Sequence, residues 1–155
     1  MLYSFLFDIQ YILLYNHELQ KSTEADRQAG GFMERILVID DDKGILDSVS
    51  KVLKYSGYEV EVAHDGEEGV RLFSIAHRFD CVVTDINMPK MNGNEVAERI
   101  RNSKRADIPL IAISGFGEEG IDRKLFNASL PKPFKLMTLI GLIRSLVSRS
   151  KCAKE

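Results

Sequence analysis

Apolar runs and polar stripes alternate along the chain from residue 35 onward, and their spacing predicts most of the elements. Ile36-Leu-Val-Ile39 is a continuous apolar run that ends in Asp40-Asp-Asp42, the pattern of a strand buried on both faces that delivers acids at its C-terminal end. Ile45, Leu46, Val49, Val52 and Leu53 then recur at helical spacing, with Asp42 placed to cap the helix and Gly57 to stop it. Tyr58 to Ala63 alternates apolar residues with Glu59 and Glu61, as a half-buried strand does. Asp65-Gly66 opens a segment in which Val70, Leu72 and Phe73 supply another apolar face. Cys81-Val-Val-Thr-Asp85 partly repeats the first pattern, a short buried strand with a carboxylate at its end.

Pro89 and Asn92-Gly93 break the chain, and Val96, Ala97 and Ile100 mark a short helix after them. Asn-Gly is also a hairpin signal, but its flanks do not alternate, which favours a loop leading into a helix. Pro109 to Ile113 is a fourth apolar strand ending at Ser114-Gly115. The following stretch carries Glu118, Glu119, Asp122, Arg123 and Lys124 and has room for a short helix at best, and Ser129 to Pro131 for a brief fifth strand. From Lys135 the helical pattern is firm again through Leu136, Leu139, Ile140, Ile143, Leu146 and Val147.

Strand and helix thus alternate about five times, which predicts a parallel sheet with helices on both faces. Right-handed crossovers gather the C-terminal strand ends on one edge, and that edge collects Asp40, Asp41, Asp85, Ser114 and Lys132. Two unit charges 4 Å apart repel by roughly 4 kcal/mol at an effective dielectric near 20, so converging carboxylates require a cation or a proton between them. A hard, oxygen-preferring ion such as Mg²⁺ answers that requirement. An isolated acidic triplet more often opens a loop or caps a helix, so the weight lies on the constellation rather than on any member.

With 155 residues, 45% of them hydrophobic, the chain suits one ordinary domain with a proper core. Its net charge of -2 gives no footprint for nucleic acid, although Arg144, Arg149, Lys151 and Lys154 make the C-terminal end locally basic. Two cysteines, Cys81 in a central strand and Cys152 in the tail, are badly placed to pair, so a reducing compartment is the default. Met1 to Tyr15 is apolar but too short to span a bilayer and carries Asp8 and Gln10; residues 18–31 read as a polar linker. Three readings of residues 1–32 stay open at this point: a helix that packs on a partner, a helix on this domain's own surface, or an upstream stretch that is not native, with Met33 as the start. The organisation expected is an N-terminal extension over 1–32, one domain over 33–148 and a basic tail over 149–155.

These residues resemble the receiver domains of two-component response regulators. The resemblance covers about Glu34 to Val147, through Ile36-Leu-Val-Ile-Asp-Asp41, Val82-Val-Thr-Asp-Ile-Asn-Met-Pro89 with Met91-Asn-Gly93, Ile111-Ala-Ile-Ser-Gly115 and Pro131-Lys-Pro-Phe134. It implies a flavodoxin-like (βα)5 fold, a doubly wound parallel five-stranded sheet in strand order 2-1-3-4-5. It implies that Asp85 is the phosphoacceptor, taking a phosphoryl group from a phosphohistidine on a histidine kinase or phosphotransfer protein. Asp40 and Asp41 would hold Mg²⁺, partly through water, with Asp85 and the backbone carbonyl of Asn87, while Lys132 and Ser114 would contact the phosphoryl oxygens. A cis Lys132-Pro133 bond is part of the same pattern, against the trans state that is the default for X-Pro.

The sequence departs from the family in two places. Ser129 stands three residues before Lys132, where an aromatic residue is frequent, and the segment between Ser114 and Lys132 is short, which predicts an abbreviated or irregular fourth helical element. The function expected is a cytoplasmic, stand-alone signalling switch rather than an enzyme with turnover, catalysing only its own phosphorylation and dephosphorylation, with an unknown protein target, no direct nucleic-acid contact and no membrane span. Two other readings remain. Asp40 and Asp42 match the spacing of a haloacid dehalogenase-type Mg²⁺-dependent phosphatase, which leaves Asp85-Ile-Asn-Met-Pro89 unexplained; and a receiver-like module can bind partners without being phosphorylated.

Overall fold

The computed structural model describes residues 33–75, 78–115, 117 and 119–153. The expected N-terminal extension over 1–32 lies outside the described residues. The elements run β1 (Arg35–Ile39), α1 (Lys43–Tyr55), β2 (Glu59–Ala63), α2 (Gly66–Ile75), β3 (Cys81–Asp85), α3 (Gly93–Arg101), β4 (Leu110–Ser114), β5 (Ala128–Pro131) and α4 (Leu136–Cys152). All strand pairs are parallel and the sheet order is β2-β1-β3-β4-β5. This is the flavodoxin-like order expected above, and the crossovers bring the C-terminal ends of β1 and β3 side by side at its centre.

Successive side chains of a strand point to opposite faces, and β1 divides its apolar residues accordingly. Ile36 and Val38 join Leu46, Val49, Leu53, Leu139 and Ile143 in a core beneath α1 and α4. Leu37 and Ile39 join Phe73, Val82, Val96, Ala97 and Ile100 in a second core beneath α2 and α3. The continuous apolar runs are therefore runs because both faces are covered.

The fourth helix of a full (βα)5 pattern, between β4 and β5, is replaced by something else. Between β4 and β5 the described residues form turns, with no helix among them. The segment is polar and contains Gly115, Gly117 and Gly120, so it has neither the apolar stripe nor the propensity that would pay for a helix. Of its side chains, Leu125 and Phe126 pack against the second core. The rest is tied to α3: Asn94 Nδ2 donates to the Gly120 carbonyl at 2.6 Å, the Asp122 N–H donates to Asn94 Oδ1 at 3.0 Å, and Arg101 Nε donates to the Leu125 carbonyl at 2.9 Å.

Asp42 is the N-cap of α1, its Oδ1 accepting from the Gly44 and Ile45 N–H groups at 2.8 and 3.2 Å. Asn92 caps α3 in a reciprocal box with Glu95, so Asn92-Gly93 is the loop-to-helix junction read from the sequence. At the opposite end of the sheet, Lys151 near the end of α4 pairs with Glu34 just before β1 at 2.7 Å. Cys81 and Cys152 are both free. No helix among the described residues is long and apolar enough to cross a membrane.

Gly93 begins α3 so close to β3 that a Cβ there would stand 2.3 Å from the Asp85 carbonyl oxygen and 2.9 Å from Ile86 Cα. Backbone atoms cannot yield as a flexible side chain can, so Gly93→Ala is expected to lower unfolding free energy by about 1–3 kcal/mol. Urea denaturation checks this, and an unchanged midpoint would show that the junction tolerates the methyl group.

Candidate functional site: two carboxylates bridged by a lysine

Asp40 follows β1 directly and Asp85 is the last residue of β3, and the pairing of these neighbouring strands brings both to one place. Their side chains are almost wholly buried, at 2% and 3% exposure. Lys132 comes from beyond β5, where the Lys132-Pro133 bond is cis. Its Nζ lies 2.9 Å from Asp40 Oδ2 and 2.6 Å from Asp85 Oδ1. Each carboxylate uses its other oxygen in the same way. Asp40 Oδ1 accepts from the Asp42 N–H at 2.8 Å and Asp85 Oδ2 from the Asn87 N–H at 2.7 Å, both two residues downstream. These local turns fix the carboxylates before any ligand arrives.

Burial pushes the Asp40 carboxyl above its ordinary value of 3.8, in spite of the hydrogen bonds from Lys132 and the Asp42 N–H, and the negative charge of Asp85 adds to the rise. Burial pulls the Lys132 ammonium down, but its hydrogen bonds to Asp85 and Asp40 and the field of both carboxylates outweigh this and leave it above 10.5. Lys132 is therefore charged throughout the physiological range, one ammonium facing two acids.

Ser114 closes β4, fully buried, and its carbonyl accepts from the Lys132 N–H at 2.7 Å. Asp41 and Asn87 are exposed at the rim. Thus Asp40, Asp85 and Lys132 meet directly, Ser114 adjoins them through the β4–β5 ladder, and Asp41 and Asn87 border the pocket, Asn87 bonded to Asp85 through its backbone N–H. Among the described residues no three His, Cys, Asp or Glu side chains converge closely enough to hold a metal ion by themselves. The donor set is nonetheless hard oxygen with net negative charge, and backbone carbonyls and water complete such shells around Mg²⁺. The Asp40–Asp42 spacing that suggested a phosphatase resolves into one pocket carboxylate and one helix cap. Sequence reasoning missed Thr84, whose buried Oγ1 donates to the Asp85 carbonyl at 2.9 Å, and Gly93, which seats that carbonyl; a Thr within an apolar run and a Gly after Asn were the signals available.

Removing one buried acid leaves a matched pair. Asp40→Asn is expected to stabilise the fold at neutral pH by about 1 kcal/mol, because an uncompensated buried charge costs more than a polar replacement. With its native pKa raised, Asp40 contributes stability that is full below the ordinary value of 3.8 and lost as pH rises through the higher native value. Stability measured against pH should therefore fall over that range in wild type and run flatter in the variant; an Asp40→Asn protein less stable at pH 7 contradicts this.

Residues 36–144 match the profile of the Response regulator receiver domain. Among curated proteins, Response regulator MprA of Mycobacterium ulcerans is 34% identical over 123 residues, 76% of this chain and 51% of that protein. The Mycobacterium tuberculosis MprA is 33% identical over the same length. The chain spans about half the length of these relatives. Among solved structures, a receiver domain protein from Clostridium thermocellum superposes with a TM-score of 0.71 at 28% identity, covering 78% of this chain and 99% of that one. The response regulator TrrA of Thermotoga maritima, solved in complex with Mg(2+)-BeF, gives 0.68 at 32% identity, covering 74% and 99%. With its sheet order, its acids after β1 and β3 and its lysine after β5, this chain belongs to the receiver domain family of two-component response regulators.

Proposed function

We propose that this receiver is a phosphoacceptor switch in which Asp85 takes a phosphoryl group from a phosphohistidine of a histidine kinase or phosphotransfer protein. The observation that carries the reading is the Lys132 ammonium, 2.6 Å from Asp85 Oδ1 and 2.9 Å from Asp40 Oδ2, with both carboxylates buried and the lysine partly exposed. A carboxylate oxygen of Asp85 attacks phosphorus, the P–N bond to the donor imidazole breaks, the imidazole leaves with a proton, and the product is an acyl phosphate. Such transfer depends on positioning and on neutralising the charge of the phosphoryl oxygens.

Lys132 does part of both. As the acyl phosphate forms, the Asp85 oxygen it holds loses charge, and the ammonium is free to follow the charge onto a phosphoryl oxygen. Ser114, at the end of the neighbouring strand, supplies a hydroxyl for another. Asp40 and Asp41, with Asp85 and the Asn87 carbonyl, are the oxygens that would hold Mg²⁺, which supplies charge neutralisation for a dianionic group entering an acidic pocket. The relative solved with Mg(2+)-BeF supports a divalent cation in this role. The domain is taken as residues 33–148, acting through protein partners rather than by turnover, and the two free thiols support a cytoplasmic location.

Acetyl phosphate with Mg²⁺ is expected to add one phosphoryl group, seen by intact-mass spectrometry as an acid-stable, base-labile adduct. Asp85→Asn should abolish it and chelation of Mg²⁺ should suppress it. Lys132→Ala should be phosphorylated at least tenfold more slowly, since one charged contact is worth more than about 1.5 kcal/mol. No adduct in wild type, or an undiminished one in Asp85→Asn, overturns the proposal.

A further inference from the structure

Asn92-Gly93, the junction into α3, is the one place in the chain where an asparagine precedes a glycine. That pair has a spontaneous chemistry of its own. When the Gly93 amide loses its proton to solvent base, its nitrogen can attack Asn92 Cγ; the Cγ–Nδ2 bond breaks, Nδ2 takes up a proton and leaves as ammonia, and a cyclic imide forms. Water then opens the imide, at Cγ to give an aspartyl residue or at the main-chain carbonyl to give an isoaspartyl one. No oxidant or cofactor is consumed. Glycine favours the attack because it has no Cβ to obstruct the nitrogen or to restrict the turn that ring closure needs.

The folded junction opposes each part of this reaction. The nucleophile is engaged, because Gly93 is buried and its N–H donates to the Ile86 carbonyl at 3.0 Å. The electrophile is held as well: Asn92 Oδ1 accepts from the Glu95 N–H at 3.0 Å while the Asn92 N–H donates to Glu95 Oε2 at 2.8 Å. Asn92 has φ −78° and ψ 168°, an extended backbone, whereas the ring closes only with the Gly93 nitrogen rotated to the side of Cβ. That rotation has to carry Gly93 with it. Gly93 lies so close to β3 that a Cβ would stand 2.3 Å from the Asp85 carbonyl oxygen, and packed backbone leaves little room for such a swing.

We infer that Asn92-Gly93 is a deamidation site that the fold holds shut, with the Glu95 side chain of the capping box as its guard. The reactive geometry exists only when the start of α3 lifts from β3 and the Gly93 N–H leaves the Ile86 carbonyl. Hydrogen exchange at the Gly93 amide requires that same release and the same loss of the proton, so exchange and deamidation share one opening step. The inference is independent of any phosphoryl chemistry at Asp85. The isoaspartyl product carries an extra main-chain atom directly before the glycine that rests on the Asp85 carbonyl, so the cap protects the seat of the pocket as well as the helix.

Incubation of the full chain at mildly alkaline pH, followed by proteolysis and mass spectrometry, reads conversion at Asn92. The rate in native protein is expected to be at least about tenfold below that in concentrated urea, where the Gly93 nitrogen is free; equal rates overturn the inference. Glu95→Ala removes the bond to the Asn92 N–H and leaves the main-chain donor of that position in place. It is expected to raise the native rate about threefold, and Gly93 amide exchange measured by NMR by the same factor, with Glu95→Gln closer to wild type. In urea the three proteins should convert alike. A Glu95→Ala rate no higher than wild type overturns the role of the cap, and faster Gly93 exchange without faster conversion overturns the shared opening step. An equal rise at the Val83 amide in β3 would mean unfolding of the whole domain and overturns the local guard.

Discussion

Lys132 stands between two buried carboxylates that would otherwise repel each other, and much of the fold is arranged to make that meeting possible. Asp40 and Asp85 come from adjacent central strands, and the register that pairs Ile39 with Thr84 sets them at matching depth. Lys132 reaches them from beyond the edge strand β5, past the whole width of β4, held by its own N–H to the Ser114 carbonyl. One ammonium cannot neutralise two acids, so the pocket retains negative charge, which adds to the burial that raises Asp40. That imbalance is a cost to folding and a standing attraction for a cation. A site that were internally balanced would have little use for a metal ion or for a phosphoryl group arriving with one.

The parts of this design that follow from periodicity were legible in the chain. Continuous apolar runs before Asp40 and Asp85, and the helical stripe from Leu136 to Val147, record burial on two faces and on one, and burial is what a sequence states most directly. Asp42 as a cap was equally plain, since the residue type and its place before an apolar stripe leave few other uses. The lysine's reach was different. That Lys132 touches both Asp40 and Asp85 depends on strand order and on the geometry after β5, neither of which periodicity encodes, and it entered through resemblance. Asn94 and Arg101 were invisible for a related reason: a polar residue on a short amphipathic helix reads as solvated surface, and only the folded crossover reveals what it holds.

The β4–β5 crossover also changes how the sheet is covered. A packed helix shields a sheet through area, with many small apolar contacts that are lost together. Among the described residues of the crossover, Leu125 and Phe126 supply apolar cover, and direction-dependent hydrogen bonds add to it. Such bonds can be lost one at a time. The Arg101 end, charged and partly buried, and the Asn94 end, neutral and exposed, differ enough that the segment need not open as a unit.

The Lys151–Glu34 pair, at the edge of the sheet remote from Asp85, has a consequence for how the domain can be wired. The beginning of β1 and the end of α4 are held together there, at the pole of the sheet away from Asp85. Closely spaced ends are what circular permutation requires. A short linker joining them, with new ends cut elsewhere on the surface, would preserve every strand pairing that positions the pocket.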